Sequence, residues 1–120
     1  MSKKDPDKIV VKYYEDEHGR QPFAKFFKRI NAAAAAKVAG AITRLRAGNT
    51  ADSKSVGKGV CELRINWGPG CRLYYGWDGD KLIILLSGGA KSAKKQQSAD
   101  IEKAQGFWAD YKKRKRKGQP

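Results

Sequence analysis

Apolar positions in the first half of the chain predict one strand followed by two helices. Residues 8–14 (KIVVKYY) are β-branched and aromatic, which is typical of a strand. Pro22 stands at a favoured first helical position, and one apolar helical face follows it: Phe23, Phe26, Phe27 and Ile30. A second helix is predicted across residues 31–48, where alanine supplies helix propensity and Gly48 suits the C-terminal cap.

The second half of the chain predicts three strands and a last helix. Residues 49–59 (NTADSKSVGKG) have no apolar period, so we expect a loop there. Strands are predicted at 60–67, 71–77 and 81–86, separated by the turn signals GPG and DGD. The last strand, KLIILL, is apolar without alternation, which indicates a strand that is central or covered on both faces. The final helix should run from about Ser98 to Tyr111.

The stretch ELRINWGPGCR predicts a hairpin with an apolar and a polar face. Apolar residues of both strands have odd numbers, and opposed residues of an antiparallel pair share a face, so opposed numbers must sum to an even number. A three-residue GPG connection meets this condition and sets Asn66 opposite Arg72 and Arg64 opposite Tyr74. We therefore expect both guanidinium groups on one water-facing patch, away from the helices.

Cysteine spacing and hydropathy limit the possible classes of protein. The hairpin register separates Cys61 from Cys71 by about six strand positions, on the order of 20 Å, so we expect reduced thiols. No Cys/His spacing indicates a metal site. No apolar run approaches the roughly 18 residues of a membrane span, and the start of the chain lacks a secretory apolar core. We predict a cytoplasmic domain at 8–111, between a charged segment at 1–7 and a basic tail at 112–120.

The charge balance favours a polyanionic partner, and nucleic acid is the first candidate. Lys and Arg number 26 against 12 Asp and Glu, which gives a formal charge of +14 and a pI near 10.0. The run KKRKRK carries part of that excess and by itself is typical of a solvated tail.

Basic residues elsewhere suggest phosphate binding. A guanidinium fork matches phosphate geometry, although a solvated sheet face would explain the hairpin arginines alone. Convergence with other candidates favours the phosphate interpretation. These candidates are Lys54 and Lys58 in the loop, Asn66 on the hairpin, and Lys91, Lys94 and Lys95 after the pair Gly88-Gly89. The glycines would permit close backbone approach, but GGxK lacks Walker spacing, so nucleotide hydrolysis is not predicted.

Three segments of the chain resemble the RelE/ParE toxin superfamily, in its addiction-module killer (HigB-like) branch. They are GVCELRINWGPGCRLYYG, LIILLSGGAKSAKKQQSADIEKA and FWADY, and the likeness covers about residues 9–111. The resemblance implies an α+β fold of order β-α-α-β-β-β-α, with a mainly antiparallel twisted sheet packed against helices. It also implies an intracellular toxin that a cognate antitoxin, of helix-turn-helix type, neutralises.

The resemblance also implies site residues and a chemistry. Many such toxins cleave mRNA in the ribosomal A site, and there Arg72 would stabilise the scissile phosphate, with Arg64 and Lys91 in the same basic cluster. The implied reaction needs no metal or cofactor: a ribose 2′-OH attacks the adjacent phosphate while cations hold the developing charge. Candidates for the base are Lys91, Lys94 and Lys95, with Tyr74 as an alternative.

The sequence departs from those relatives at two places, and three functions stay open. Glu62 stands where some relatives have a lysine, and the tyrosine or histidine that several place near the start of the last helix is not evident among Lys94, Lys95 and Gln97. The functions are a ribosome-dependent endoribonuclease toxin, a non-nucleolytic toxin such as the gyrase inhibitors of the ParE branch, and a basic nucleic-acid-binding module without activity.

Overall fold

The computed structural model describes residues 8–91 and 93–118, which form three helices and a five-stranded sheet. Along the chain the elements are β1 (Val10–Tyr13), α1 (Pro22–Arg29), α2 (Ala32–Arg46), β2 (Ser53–Gly57), β3 (Val60–Ile65), β4 (Cys71–Asp78), β5 (Leu82–Ala90) and α3 (Lys94–Arg116). The expected α+β fold is confirmed, with one more strand than predicted. The charged segment predicted at 1–7 lies outside the described residues.

The sheet is mixed, with strand order β1-β5-β4-β3-β2. β1 pairs with β5 in parallel, and the other neighbouring pairs are antiparallel. β5 is buried on both faces, as its unbroken apolar run predicts, because Ile83 and Leu85 point to one core while Ile84 and Leu86 point to the other.

The first core lies between the sheet and the pair α1 and α2. Phe23 and Phe26 of α1 and Val38 and Leu45 of α2 are buried against the odd-numbered residues of β3, β4 and β5. The Asn31 side chain accepts a hydrogen bond from the Ala34 amide at 2.8 Å and so caps the start of α2. The apolar stripes of both helices therefore act as core, as predicted.

The second core lies on the opposite face of the sheet, under α3. Ala104 and Trp108 are buried there against Val60, Tyr74 and Ile84. The hairpin face that we expected to be free of helices is therefore covered along much of its length. Our expectation was wrong because the even-numbered residues of this face include enough apolar side chains to receive the buried stripe of α3.

The hairpin register differs from the prediction, because the partner of each residue is shifted by two positions along the strand and Asn66 is not opposite Arg72. Arg64 lies opposite Arg72, and Ile65 lies opposite Cys71, so the connection spans residues 66–70 rather than a three-residue GPG turn. The parity argument holds for both lengths, because each keeps the odd positions on one face. The longer connection contains a bond from the Gly70 amide to the Trp67 carbonyl at 2.8 Å.

The segment expected to be a loop contains the edge strand β2. Its last pair, Gly57 with Val60, closes on Lys58 and Gly59, whose φ values of 55° and 83° suit a tight two-residue hairpin turn. Small polar residues hid this strand from a hydropathy pattern, because an edge strand has little apolar surface to bury. The last helix is longer than predicted at both ends, and residues 112–116 of the basic run continue it.

Candidate phosphate-binding site

Strand pairing creates two rows of side chains on the sheet face that α3 covers. One row crosses the sheet through Lys54, Glu62, Tyr74 and Ser87; the next passes through Arg64, Arg72 and Gly89. Both arginines therefore share one face, as the sequence predicts, and they are directly opposed. Arg64 is exposed, whereas Arg72 is only 8% exposed, so the expectation of two water-facing guanidinium groups is correct only for Arg64.

Glu62 is the buried anion at the centre of the first row. Its carboxylate is 0% exposed, and its Oε2 accepts hydrogen bonds from the Tyr74 hydroxyl at 3.0 Å and from the Gln97 amide of α3 at 2.9 Å. The Arg72 Nε lies 3.6 Å from the same oxygen, and the Lys54 Nζ lies 4.0 Å from Oε1. A buried charge requires such partners, since taking it out of water alone is costly.

Arg72 is held beside this carboxylate with hydrogen-bonding capacity to spare. Among residues 8–91 and 93–118, no acceptor is within hydrogen-bonding geometry of its buried Nε and Nη1, and no donor serves the Glu62 Oε1. The guanidinium is thus fixed in place by an ion pair, while some of its donors are not used by the described part of the protein. Because Nε and Nη1 are themselves buried, what Arg72 offers to a phosphate in this arrangement is its fixed positive charge beside the exposed Arg64.

Tyr74 is buried completely and is better suited to position Glu62 than to accept a proton. Burial, followed by the neighbouring Glu62 carboxylate, raises the pKa of the Tyr74 hydroxyl well above its usual range. A base at this position would have to be the phenolate, which both causes disfavour. The hydroxyl therefore stays protonated and donates to Glu62.

Lys91 joins the connection before α3 to the hairpin loop. Its Nζ donates to the Asn66 Oδ1 at 2.7 Å, and its amide donates to the Gly70 carbonyl at 3.2 Å. A Cβ on Gly70 would lie 2.9 Å from the Lys91 Cδ, so the absence of a side chain there admits the lysine stem. Lys91 and Asn66 are therefore brought together at the end of the sheet where Arg64 and Arg72 lie.

The remaining predicted lysines divide into two groups. Lys94 and Lys95 are exposed in the first turn of α3, close along the chain to Lys91, and Lys54 faces Glu62 from β2. Lys58 forms the turn between β2 and β3, at the opposite end of β3 from Arg64. The structure therefore does not bring Lys58 into the cluster.

Gly88 and Gly89 lie inside β5 and make room for helices rather than forming an exit loop. A Cβ on Gly88 would lie 2.5 Å from the Phe26 ring of α1, and one on Gly89 would lie 2.5 Å from the Asp100 carboxylate of α3. We expected these glycines to let a phosphate approach the backbone, but they instead make room for side chains of α1 and α3.

A polar cleft adjoins the exposed arginine. It has a volume of about 450 Å³, lies between α2 and the end of β3, and is lined by Lys37, Arg44, Asp52, Arg64 and Trp67 among others. Sequence reasoning missed its α2 side. The available signal was the spacing of Lys37, Gly40 and Arg44, which places them on one polar helical face beside the apolar stripe.

The described part of the chain carries neither a membrane-spanning helix nor a cluster of metal ligands. No helix in residues 8–91 and 93–118 has the length and apolar character needed to span a bilayer. Across the same residues, no three His, Cys, Asp or Glu side chains are grouped as a metal ion would require. Cys61 and Cys71 are both free thiols, as the sequence predicts.

Comparison with known proteins adds a family to this geometry. Residues 25–108 match the family described as Phage derived protein Gp49-like (DUF891). The chain belongs to the Gp49-like family. This is a RelE-like, toxin-like family of toxin–antitoxin systems, so the resemblance seen in the sequence is confirmed at that level. The matched Gp49-like region contains all candidate site residues, from Lys54 to Lys95.

A relative of this Gp49-like protein comes from Haemophilus influenzae and carries the name uncharacterized protein. It is 46% identical over 74 residues, which amount to 62% of this chain and 72% of the relative. Its name assigns no reaction, whereas membership of the Gp49-like family indicates a toxin-like protein with an antitoxin partner.

Proposed function

We propose that this Gp49-like protein is the toxin of a type II toxin–antitoxin system, in the HigB-like branch, and that it cleaves mRNA on the ribosome in the cytoplasm. The observation that carries the proposal is the direct opposition of Arg64 and Arg72 on one sheet face, with Lys91 at the adjoining loop. The formal charge of +14 supports binding to ribosomal and messenger RNA. The proposed inhibitor is a cognate antitoxin of helix-turn-helix type.

The proposed reaction is an attack of a ribose 2′-OH on the adjacent phosphate. The new O2′–P bond gives a cyclic phosphate, the P–O5′ bond breaks, and a 5′-OH end leaves. Charge builds on the non-bridging oxygens in the transition state, where fixed cations stabilise it most. Arg72, oriented by Glu62, and the exposed Arg64 supply this charge, so the step as proposed requires no metal ion.

Two proton transfers accompany the proposed reaction. A base removes the proton of the 2′-OH, and an acid protonates the leaving O5′. We assign these transfers to Lys91, Lys94 and Lys95, which lie close along the chain just before and at the start of α3. Tyr74 is assigned to the support of Glu62, because its hydroxyl already donates to that carboxylate.

Mapping of mRNA ends after induced expression tests this function. Wild-type protein should produce new 5′ ends within translated frames. Arg64→Ala should abolish them, because it removes a cation that stabilises the transition state. The variant should still fold, since an exposed arginine can be removed without harm to the core. Arg46→Ala is the matched control, since Arg46 is an exposed arginine at the end of α2. Persistent cuts with Arg64→Ala, or no cuts with wild-type protein, would refute the proposal.

A non-nucleolytic toxin is the second candidate. It is favoured by the burial of Tyr74 and by the position of His18 in the turn between β1 and α1, where the imidazole lies 3.5 Å from Glu17. Growth arrest with intact mRNA and blocked DNA supercoiling would support this candidate. Absence of any growth defect would instead support a nucleic-acid-binding module without activity.

A further inference from the structure

The cleft between α2 and β3 has a chemical character that the proposed cleavage does not explain. β2 pairs with β3 only as far as Leu63, with one further bond from the Arg64 amide to the Asp52 carbonyl, and the end of β3 and the hairpin loop line the cleft together with α2. Lys37, Arg44 and Arg64 contribute positive charge to the walls, against the single lining carboxylate of Asp52 among the described residues. The cleft is therefore suited to an anion.

Trp67 adds a flat aromatic surface to this cationic cleft. Its side chain is 39% exposed, although tryptophan is usually well covered in a folded protein. It belongs to neither core cluster of the described residues, and the Lys37 Nζ lies 5.6 Å from its ring centroid. An exposed indole beside cations is the combination that binds single-stranded nucleic acid, where bases stack on aromatic rings and cations hold the phosphates.

Arg64 connects the cleft to the arginine pair. It lines the cleft, and it also lies opposite Arg72 in the second row of the site. The pair lies on the sheet face away from α2, so an RNA strand with a phosphate at the pair would pass around the end of β3, where β2 has ended, to enter the cleft. An acidic peptide would use the cations alone and would leave the aromatic surface of Trp67 without a stacking partner.

We propose that this cleft binds one nucleotide of single-stranded RNA next to the cleaved phosphate, with the base on Trp67 and the phosphate contacted by Arg44 and Arg64. The inference rests on the proposed function for its choice of RNA as the ligand. Through Trp67 and Arg44 it adds a subsite that should affect substrate binding without participation in bond cleavage, whereas Arg64 belongs to both sites.

Binding of an uncleavable RNA tests the subsite separately from catalysis. The probe is a short, fluorescently labelled single-stranded RNA with 2′-O-methyl riboses, followed by anisotropy at several salt concentrations. Trp67→Ala should weaken binding by about tenfold or more, the range expected for one lost stacking contact. Arg44→Ala should reduce the slope of log affinity against log salt by about 0.7, the value for one phosphate contact on a single strand.

Two controls make the result specific. Arg46→Ala removes the same charge from the same helix outside the cleft, so the slope should stay that of the wild type. The same RNA with abasic sites should bind wild-type protein and Trp67→Ala equally, because no base is left to stack. Circular dichroism of each variant verifies that the fold is retained.

Each outcome separates this inference from the proposed function. Equal affinity of wild type and Trp67→Ala for intact RNA, or equal slopes for Arg44→Ala and Arg46→Ala, would overturn the subsite even if mRNA is cleaved. Variants that bind RNA normally but lose affinity for the antitoxin would assign the cleft to a protein partner and also overturn it. RNA binding as expected without mRNA cleavage would preserve the subsite and refute the endoribonuclease.

Discussion

At the residue scale, Glu62 determines the orientation of Arg72 in the arginine pair. A carboxylate at this buried position is surrounded by an arginine and a tyrosine hydroxyl from β4 and by a glutamine amide from α3: Arg72, Tyr74 and Gln97. Loss of one member of a buried ion pair leaves the other charge without compensation, which costs about 3–5 kcal/mol. Glu62 therefore couples the orientation of Arg72 to the stability of the fold.

The first prediction concerns the removal of that carboxylate. Glu62→Ala should lower the free energy of unfolding by about 3–5 kcal/mol, because it leaves the Arg72 charge buried alone. Glu62→Gln should cost less, since an amide oxygen still accepts from Tyr74 or Gln97. Urea unfolding monitored by circular dichroism provides the measurement.

Glu102→Ala is the matched control, because Glu102 is an exposed glutamate on α3 and its loss should change stability by under about 0.5 kcal/mol. A cost for Glu62→Ala as small as that of Glu102→Ala would show that the ion pair does not support the fold.

Much of the candidate site followed from residue parity, and the rest required tertiary contacts. The shared face of Arg64 and Arg72 depends only on the period of two along a strand, so the sequence predicts it for either loop length. The burial of Arg72 depends on where the first turns of α3 lie, and no local pattern contains that information. The partner of Arg72 was hidden for the same reason, because Glu62 appears polar in the sequence but is covered by Gln97.

At the element scale, the packing of one indole ring determines the position of α3 on the sheet. Trp108 lies over Gly59 and Gly76, and a Cβ on these glycines would lie 2.6 Å and 2.7 Å from atoms of its ring. Gly76 is in the middle of β4, where glycine usually weakens a strand. Its presence there is explained by the close approach of α3.

The second prediction tests this close approach. Gly76→Ala should destabilise the protein by about 1–3 kcal/mol, since the added methyl group must displace a buried ring. Gly106→Ala is the control on α3, because Gly106 has nothing within 4 Å of its missing side chain. That exchange should stabilise the protein by about 0.5–1 kcal/mol through helix propensity. Thermal unfolding of both variants measures the difference, and a stabilised Gly76→Ala protein would contradict the packing argument.

Helices and central strands were predictable because their signals are local. Pro22 begins α1 as predicted, and the unbroken apolar run of β5 is buried on both faces. The extent of β2 and of α3 was not predictable in this way. β2 is held by pairing with β3 rather than by its own apolar residues, and the extra turns of α3 are polar.

At the scale of the whole molecule, α3 is tied to the sheet near its C-terminal end by two tyrosine–aspartate pairs. The Tyr14 hydroxyl donates to Asp110, and the Tyr111 hydroxyl donates to Asp78. Arg114 reaches the Glu15 carbonyl, and Lys115 pairs with Asp78. The described part of the basic run is therefore attached to the body of the protein, and it is not simply a solvated tail.

The third prediction concerns stability at alkaline pH. Burial, followed by the hydrogen bond to the aspartate, raises the pKa of Tyr14 and of Tyr111 from 10.0 to about 12. A folded-state pKa above the unfolded value gives stability that is complete below pH 10 and is lost as the pH rises toward 12. Urea unfolding at pH 8 and at pH 11 should show this loss in the wild type.

Tyr111→Phe isolates the contribution of one of these groups. The variant lacks one titrating hydroxyl, so its stability should fall less between the two pH values than that of the wild type. Tyr13→Phe is the control, because Tyr13 is 42% exposed and its ring lies on β1 away from both pairs. An equal fall in wild type and Tyr111→Phe would contradict the assigned cause.

The space that Gly59 and Gly76 leave beneath Trp108 also has a consequence for the distant pair of Arg64 and Arg72. An indole that fits between two backbones permits one rotational setting of α3 about its own axis. Gln97 lies three turns before Trp108 on that helix, so the same setting determines whether its amide points at Glu62. A substitution at Gly59 or Gly76 would therefore rotate α3 about its axis and move Gln97 away from Glu62. The Arg72 guanidinium would then be misaligned, although it does not contact the substituted residue.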